Sequence, residues 1–403
     1  MKYLILVGDG MGDHPIAELG ECTPLEVADI PFMDDLCSRG KLLLVQTVPP
    51  GFPPGSDVAN LSLLGYDPAR YYTGRAPFEA AAMGIETDTD ETAFRCNLVT
   101  LEKYDDRVIM VDFSAGHISS EEAAQLMDAL NDGCGNEQFR FHNGISYRHI
   151  LMVKGDYPAM EPVPPHDHID RDVSRHWQRY FEDPDWKKLL ETSENILKNH
   201  PVNQERLAQG KRPANAIWLW GEGKLPQMPA FHNTFGLTGS MISAVDLLKG
   251  LGVTAGLSVI HVQGATGYLD TNYRGKADAA LSALVHQDFV FVHVEAPDEA
   301  GHQGLVKEKI RAIEDFDQKI VRPIFEGLQA RGEDFRAIVT MDHMTPVALR
   351  THTSEPIPAI LYDSREKLGS KRSFSERACL AHQAKQEEGL VIGHTLLRQL
   401  IQV

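Results

Sequence analysis

Tyr3-Leu4-Ile5-Leu6-Val7-Gly8-Asp9-Gly10-Met11-Gly12-Asp13 is a continuous apolar run that meets a glycine-rich turn carrying acids. Such a run reads as a strand buried on both faces, the kind that parallel sheets use. In open α/β sheets the functional groups collect just past the carboxyl ends of the strands, so Asp9 stands where chemistry is expected. A dinucleotide-binding turn is excluded, because the third glycine of GxGxxG is missing and an acid in the loop would repel pyrophosphate. The run is also too short for a signal peptide and lacks a cleavage-site pattern.

Two further strands repeat the arrangement. Phe289 to Val294 is apolar apart from His293 and leads into Glu295-Ala296-Pro297-Asp298-Glu299-Ala300-Gly301-His302, while Arg336 to Met341 ends in Asp342-His343, with His352 nine residues on. Asp298 and His302 are four apart, so a helical turn would aim both side chains the same way. Carboxylate oxygens and imidazole nitrogens are the ligands that Mn²⁺ or Zn²⁺ accept. Earlier in the chain, Pro53-Pro54-Gly55-Ser56-Asp57-Val58-Ala59-Asn60-Leu61 places Ser56 where a turn becomes a helix, since Val58, Leu61 and Leu64 share one face. A serine there is ordinarily a cap. The positive end of a helix also favours an anion, so a phosphate carried on Ser56 would be held rather than repelled. Together with the three strand ends, Ser56 becomes the candidate nucleophile and completes enough ligands for two ions.

The 403 residues are 42% hydrophobic and 24% charged, which describes a soluble globular chain with room for a second domain. A net charge of -18 disfavours nucleic acid as a partner, and an anionic substrate then needs a locally positive site built from metal ions or clustered Arg, Lys and His. Membrane association is not expected. The five scattered cysteines, with no CxxC pair, argue against disulfides or a thiolate metal site and fit a reducing cytoplasm. Between about residues 88 and 210 the strand-helix alternation lapses and histidines, acids and tryptophans increase, which predicts an inserted domain. In it Thr92 to Val99 and Arg107 to Phe113 read as paired strands, Ile150 to Val153 as another, and Glu121 to Leu130 and Glu191 to His200 as helices. His166 and His168 lie on a proline-rich loop and read as solvated, or as lying behind the groups that touch metal or substrate, rather than as ligands. Pro201 is expected to start the linker back to the core, Ala216 to Trp220 to be a core strand, and Ser240 to Gly250 an amphipathic helix. Leu305 to Gln329 reads as one long helix.

The set Asp9, Ser56 in PGSD, the DEAGH of Asp298 to His302, Asp342-His343 and His352 resembles the alkaline phosphatase superfamily. The longer runs GYDPARYYTGRAPFEAA from Gly65, AFRCNLVT from Ala93, HPVN from His200 and PANAIWLWGEG from Pro213 are similar to the archaeal-type cofactor-independent phosphoglycerate mutases. The resemblance implies a three-layer α/β core with a mainly parallel sheet, residues 1–87 and 211–403, interrupted by an α+β cap over 88–210. It implies one divalent ion on Asp298, His302 and His352 and another on Asp9, Ser56, Asp342 and His343, with Mn²⁺ or Zn²⁺ expected and Mg²⁺ compatible. The implied substrate is a small phosphorylated metabolite, its phosphoryl group passing through Ser56, with Arg75, Arg95 and Arg148 gripping carboxylate and phosphate. Asn60, His117 and Pro164-Pro165-His166-Asp167 resemble instead a bacterial branch of the same family proposed to phosphorylate homoserine. That alternative, and simple phosphomonoester hydrolysis, leave the metal and serine expectations unchanged. No GxxxxGK[ST] loop for ATP occurs.

Overall fold

A computed structural model describes residues 1–155, 157, 163–366, 369, 372–386 and 389–402. The chain divides into two compact units, Met1–Tyr72 with Gln227–Val403, and Thr73–Pro226. Among the described residues no helix is long and apolar enough to cross a membrane.

The first unit is built on an eight-stranded sheet in the order Ser258–Val259, Gly239–Ile242, Phe289–Val294, Lys2–Gly8, Phe335–Thr340, Ile357–Asp363, Lys41–Gln46, Val391–Ile392. All run in one direction except Ile357–Asp363, which is antiparallel to both neighbours. The three central strands are apolar because helices cover both faces: Ser56–Leu63, Asp246–Thr254 and Gly393–Ile401 form one packed group, and Tyr273–His286, Val306–Phe316 and Arg322–Ala330 belong to another. The register sets Gly8 opposite Val294 and Val7 opposite Thr340. The residues that follow each strand therefore emerge side by side on one edge.

The second unit holds a six-stranded antiparallel sheet organised on the thirteen-residue strand Glu91–Lys103. This strand pairs with Arg148–Lys154 on one side and Ala216–Gly223 on the other, then with Val108–Asp112 past an irregularity at Thr100/Leu101. Helices Ser120–Cys134, opened by a Ser119/Glu122 capping box, and Pro184–Asn199 pack on it over a core rich in aromatics: Trp177, Tyr180, Trp186 and Trp218 are all buried.

Several expectations need correction. The inserted unit is wider than residues 88–210: helix Ala76–Ala82 packs against Glu91–Lys103, and Ala216–Gly223 pairs with that strand rather than with the core sheet. Pro201 does not begin a linker but opens a helix, Pro201–Ala208, whose Asn203 is buried and bonded to Leu197 O and Ala214 O. Over Ser240 to Gly250 the first three residues are strand, and the helix starts only at Asp246. Pairing of Gly239–Ile242 with Phe289–Val292 outweighs the three-residue spacing of Ile242, Val245 and Leu248, because a short buried strand carries no period of its own. The long helix after Leu305 is interrupted by a π-turn at Asp317–Val321.

Candidate active site

Asp9, at the end of Lys2–Gly8, is followed by Gly10 at φ +61°. A Cβ at Gly10 would lie 2.7 Å from Asp298 Oδ1 and 2.5 Å from Thr345 Oγ1, so glycine is needed both for the left-handed turn and for the close approach of the two strand ends. Gly10 N donates to Asp342 Oδ1 at 3.2 Å, and His343 N donates to the same oxygen at 2.9 Å. Ser56 is the first residue of its helix, with Gly55 as the N-cap and no side-chain cap bond. The capping role expected of an isolated serine is therefore not used here. Its Oγ lies 3.1 Å from His343 Nε2. Asn60, one turn on, donates to Ser56 O and to Asp342 Oδ2, both at 2.8 Å, which locks the helix start to the strand end.

The ligand-type side chains gather in two overlapping groups, Asp9 with Asp342 and His343, and Asp298 with His343 and His352; within each, ligand atoms lie within 4.8 Å of one another. His343 thus stands between the two groups, where the resemblance gave it to one ion alone. His302 joins the second group through its neighbours: Nε2 is 3.2 Å from Asp298 Oδ2 and 2.9 Å from His352 Nε2. The helix Ala296–Gln303 supplies the i,i+4 placement of Asp298 and His302 expected from the sequence. His302 Nδ1 sits 3.0 Å from Arg350 O, fixing the ring.

The charges are poorly balanced by the protein alone. Burial and the adjacent Asp342 push the Asp9 carboxyl well above the usual carboxylate range. Asp342 and Asp298, although burial opposes it, are held below that range by neighbouring imidazoles, His343 and His352 respectively. Burial lowers His343 to about 4, so its ring is neutral near pH 7. His302 rises to about 9 against its burial through the bond to Asp298. Asp9 Oδ1 is buried and, among the described residues, has no hydrogen-bond donor. An orphaned carboxylate oxygen beside a second carboxylate and a neutral imidazole fits a divalent cation.

Sequence reasoning missed the layer behind these groups. Thr345 Oγ1 donates to Asp298 Oδ1, and the fully buried Lys309 donates to Thr345 O, Gly12 O and Asp13 Oδ2, each at 2.8 Å. His293, passed over inside its apolar strand, places Nε2 3.3 Å from Asp9 Oδ2. A polar residue inside a continuous apolar strand was the available signal.

In the second unit, Arg75 and Arg95 converge on Glu79, at 2.9 and 2.8 Å. The Arg95 guanidinium also lies over the Trp220 ring, 4.2 Å from its centroid. Glu79 is kept ionised against its burial by Arg95 first, then Arg75, with Arg148 adding to the field. Arg148 itself is exposed, over Tyr147. His166 and His168, expected to be solvated, lie on a short 3₁₀ turn, Pro165–His168, where His166 packs edge-on to Trp220 and Phe113.

A model of the family described as 2,3-bisphosphoglycerate-independent phosphoglycerate mutase matches residues 37–203. A protein of that name from Methanosarcina acetivorans is 52% identical over 363 residues, 90% of this chain and 90% of that protein. Another, from Methanothrix thermoacetophila, is 48% identical over 401 residues and all of both chains. Among solved structures, a Pyrococcus horikoshii protein is similar with a TM-score of 0.80 at 29% identity, over 99% of this chain and 96% of that one. A cofactor-independent phosphoglycerate mutase from Thermoplasma acidophilum is similar with a TM-score of 0.64 at 28% identity, over 100% of this chain and 99% of that one.

Proposed function

The chain belongs to the 2,3-bisphosphoglycerate-independent phosphoglycerate mutase family, and from that premise we propose that it interconverts 3-phosphoglycerate and 2-phosphoglycerate through a phosphoserine at Ser56. The observation that carries this reading is a serine at the first position of a helix, spared from capping and 3.1 Å from an imidazole shared by two carboxylate groups.

Asp298, His302 and His352 would hold one divalent ion and Asp9, Ser56 and Asp342 the other, with His343 between them; Mn²⁺ or Zn²⁺ suits the donors and Mg²⁺ is compatible. Bound there, such ions lower the proton affinity of a hydroxyl and offset phosphoryl charge. The chain does the rest. Ser56 Oγ loses its proton and attacks phosphorus, the bond from phosphorus to the 3-oxygen breaks, and that oxygen takes up a proton. The 2-hydroxyl then attacks the phosphoserine, loses its own proton, and returns Oγ. The positive end of the helix Ser56–Leu63 favours a phosphoryl group carried on Ser56 in both halves. Asn60 keeps Ser56 and Asp342 in register. Arg75, Arg95 and Arg148 are assigned to the substrate's anionic groups, and the inserted unit to retaining glycerate between the two half-reactions.

The test is a coupled assay of Mn²⁺-loaded protein with 3-phosphoglycerate, beside homoserine with ATP, and with Ser56→Ala as control. Formation of 2-phosphoglycerate that vanishes in the variant supports the proposal. Phosphohomoserine, or release of phosphate alone, would replace it with one of the alternatives.

A further inference from the structure

Behind Asp9 lies a buried chain of charges that none of the seven expected ligands includes. Lys276 is completely buried, and its Nζ donates to Glu295 Oε2 at 3.0 Å and to His293 O at 2.9 Å. Glu295 Oε1 accepts from Ser243 Oγ at 2.7 Å, from Ala244 N at 3.1 Å and from Val245 N at 3.3 Å. His293 Nδ1 lies 3.2 Å from the same oxygen. An ionised carboxylate can only accept, so Nδ1 carries a proton in this contact and the imidazole plane is fixed from behind. The other nitrogen, Nε2, is buried without a hydrogen-bond partner among the described residues, 3.3 Å from Asp9 Oδ2 and 3.7 Å from Asp342 Oδ2.

The two oxygens of Asp9 are consequently unequal. Oδ2 faces His293, while Oδ1 has no donor among the described residues and lies 3.6 Å from His343 Nε2, on the side of the ligand group. A carboxylate on a strand end rotates about χ2 over a broad well unless something selects one orientation. We propose that His293 is a positioning residue: anchored by Glu295 and Lys276, its ring stands against Asp9 Oδ2 and restricts rotation of that carboxylate, so that Oδ1 is presented to the divalent ion held with Asp342 and His343. Carboxylate–histidine pairs commonly orient metal sites in this way. Here the pair acts one residue further out, on a carboxylate ligand. The inference rests on the two-ion reading given above.

It is tested on the full chain, stripped with a chelator and titrated with Mn²⁺ by calorimetry. Wild-type protein is expected to take up two ions. His293→Gln should weaken one of them by about 10- to 100-fold and leave the other unchanged. Two backgrounds assign the loss: with Asp298→Asn, which leaves the Asp9 ion, the effect of His293→Gln persists; with Asp342→Asn, which leaves the other ion, it disappears. If His293→Gln does not fold, judged by thermal unfolding of the metal-free protein, the pair Glu295→Gln with Lys276→Met removes the anchor while keeping the imidazole, and the same site-selective loss is expected. Equal weakening of both ions, or no weakening in a folded variant, overturns the inference while two-ion binding by wild type still stands. Wild type that fails to bind two ions overturns both. Loss of a nitrogen coupling from the Mn²⁺ spin-echo spectrum in His293→Gln would make His293 a direct ligand and overturn its positioning role.

Discussion

Ser56 Oγ stands 3.1 Å from His343 Nε2, although the two residues are 287 positions apart. Asn60 makes that distance reproducible, since its amide nitrogen bonds both the serine's own carbonyl and the carboxylate next to the histidine. Acid quenching of the enzyme with labelled 3-phosphoglycerate should therefore trap label as phosphoserine at position 56. Ser56→Ala should trap none while keeping the thermal midpoint of the metal-free protein, because the side chain makes no cap bond.

Asn60→Ala removes the tie without touching Ser56 Oγ. Hydrogen bonds to charged groups contribute about 1.5–3 kcal/mol, and loss of an outer partner of a metal-ligand carboxylate lowers activity by about 10- to 100-fold. We expect kcat to fall within that range with KM nearly unchanged, measured by steady-state assay at saturating Mn²⁺.

Ion binding should stabilise the fold. Asp9, Asp298, Asp342 and His343 come together only in the folded chain, so ligand linkage applies: at 100 times its dissociation constant an ion adds about 2.7 kcal/mol. Chelation should lower the thermal midpoint and Mn²⁺ restore it, with Asp342→Asn keeping only part of the gain. A midpoint insensitive to both treatments would count against the site.

Glu79 holds two guanidiniums, one of them buried. Glu79→Gln leaves Arg95 without its counter-charge, and breaking such a pair from one side costs about 3–5 kcal/mol. Denaturant unfolding should register that loss. Arg148→Ala, at an exposed position, should leave stability alone and raise KM.

His149 is buried in the inserted unit, accepts from Gly144 N at Nδ1, and burial lowers it to about 3. Its folded value lies below its unfolded value near 6.5, so the unfolded chain binds the proton first. The stability it contributes is complete above pH 6.5 and is lost as pH falls toward 3. At pH 5 the loss is about 2 kcal/mol. His149→Asn, which keeps the acceptor, should flatten the stability profile between those limits by one proton.

Local sequence carried much of this. The three apolar strands each ending in Asp or His, the i,i+4 pair Asp298 and His302, and the helix start at Ser56 were legible, because each rests on periodicity and turn chemistry within about ten residues. The longer motifs pointed to the family as well. Pairing partners were not legible. Ala216 to Trp220 read as core because any buried strand would, and only the ladder of Ala216–Gly223 with Glu91–Lys103 assigns it to the insert. Ile357–Asp363, antiparallel to both neighbours in the core sheet, gave no local sign of its direction.

What the sequence by itself determined is the side-chain chemistry: carboxylates and imidazoles at strand ends, and a serine at a helix N-terminus. Only the tertiary structure decided that His343 stands between both groups and that Lys276, Glu295 and His293 back Asp9. Burial of such groups is affordable only through partners elsewhere in the chain: a lysine on a helix and a histidine in a strand each read as ordinary until folding sets them 2.9 to 3.3 Å from their counter-groups, where desolvation makes the pairing obligatory.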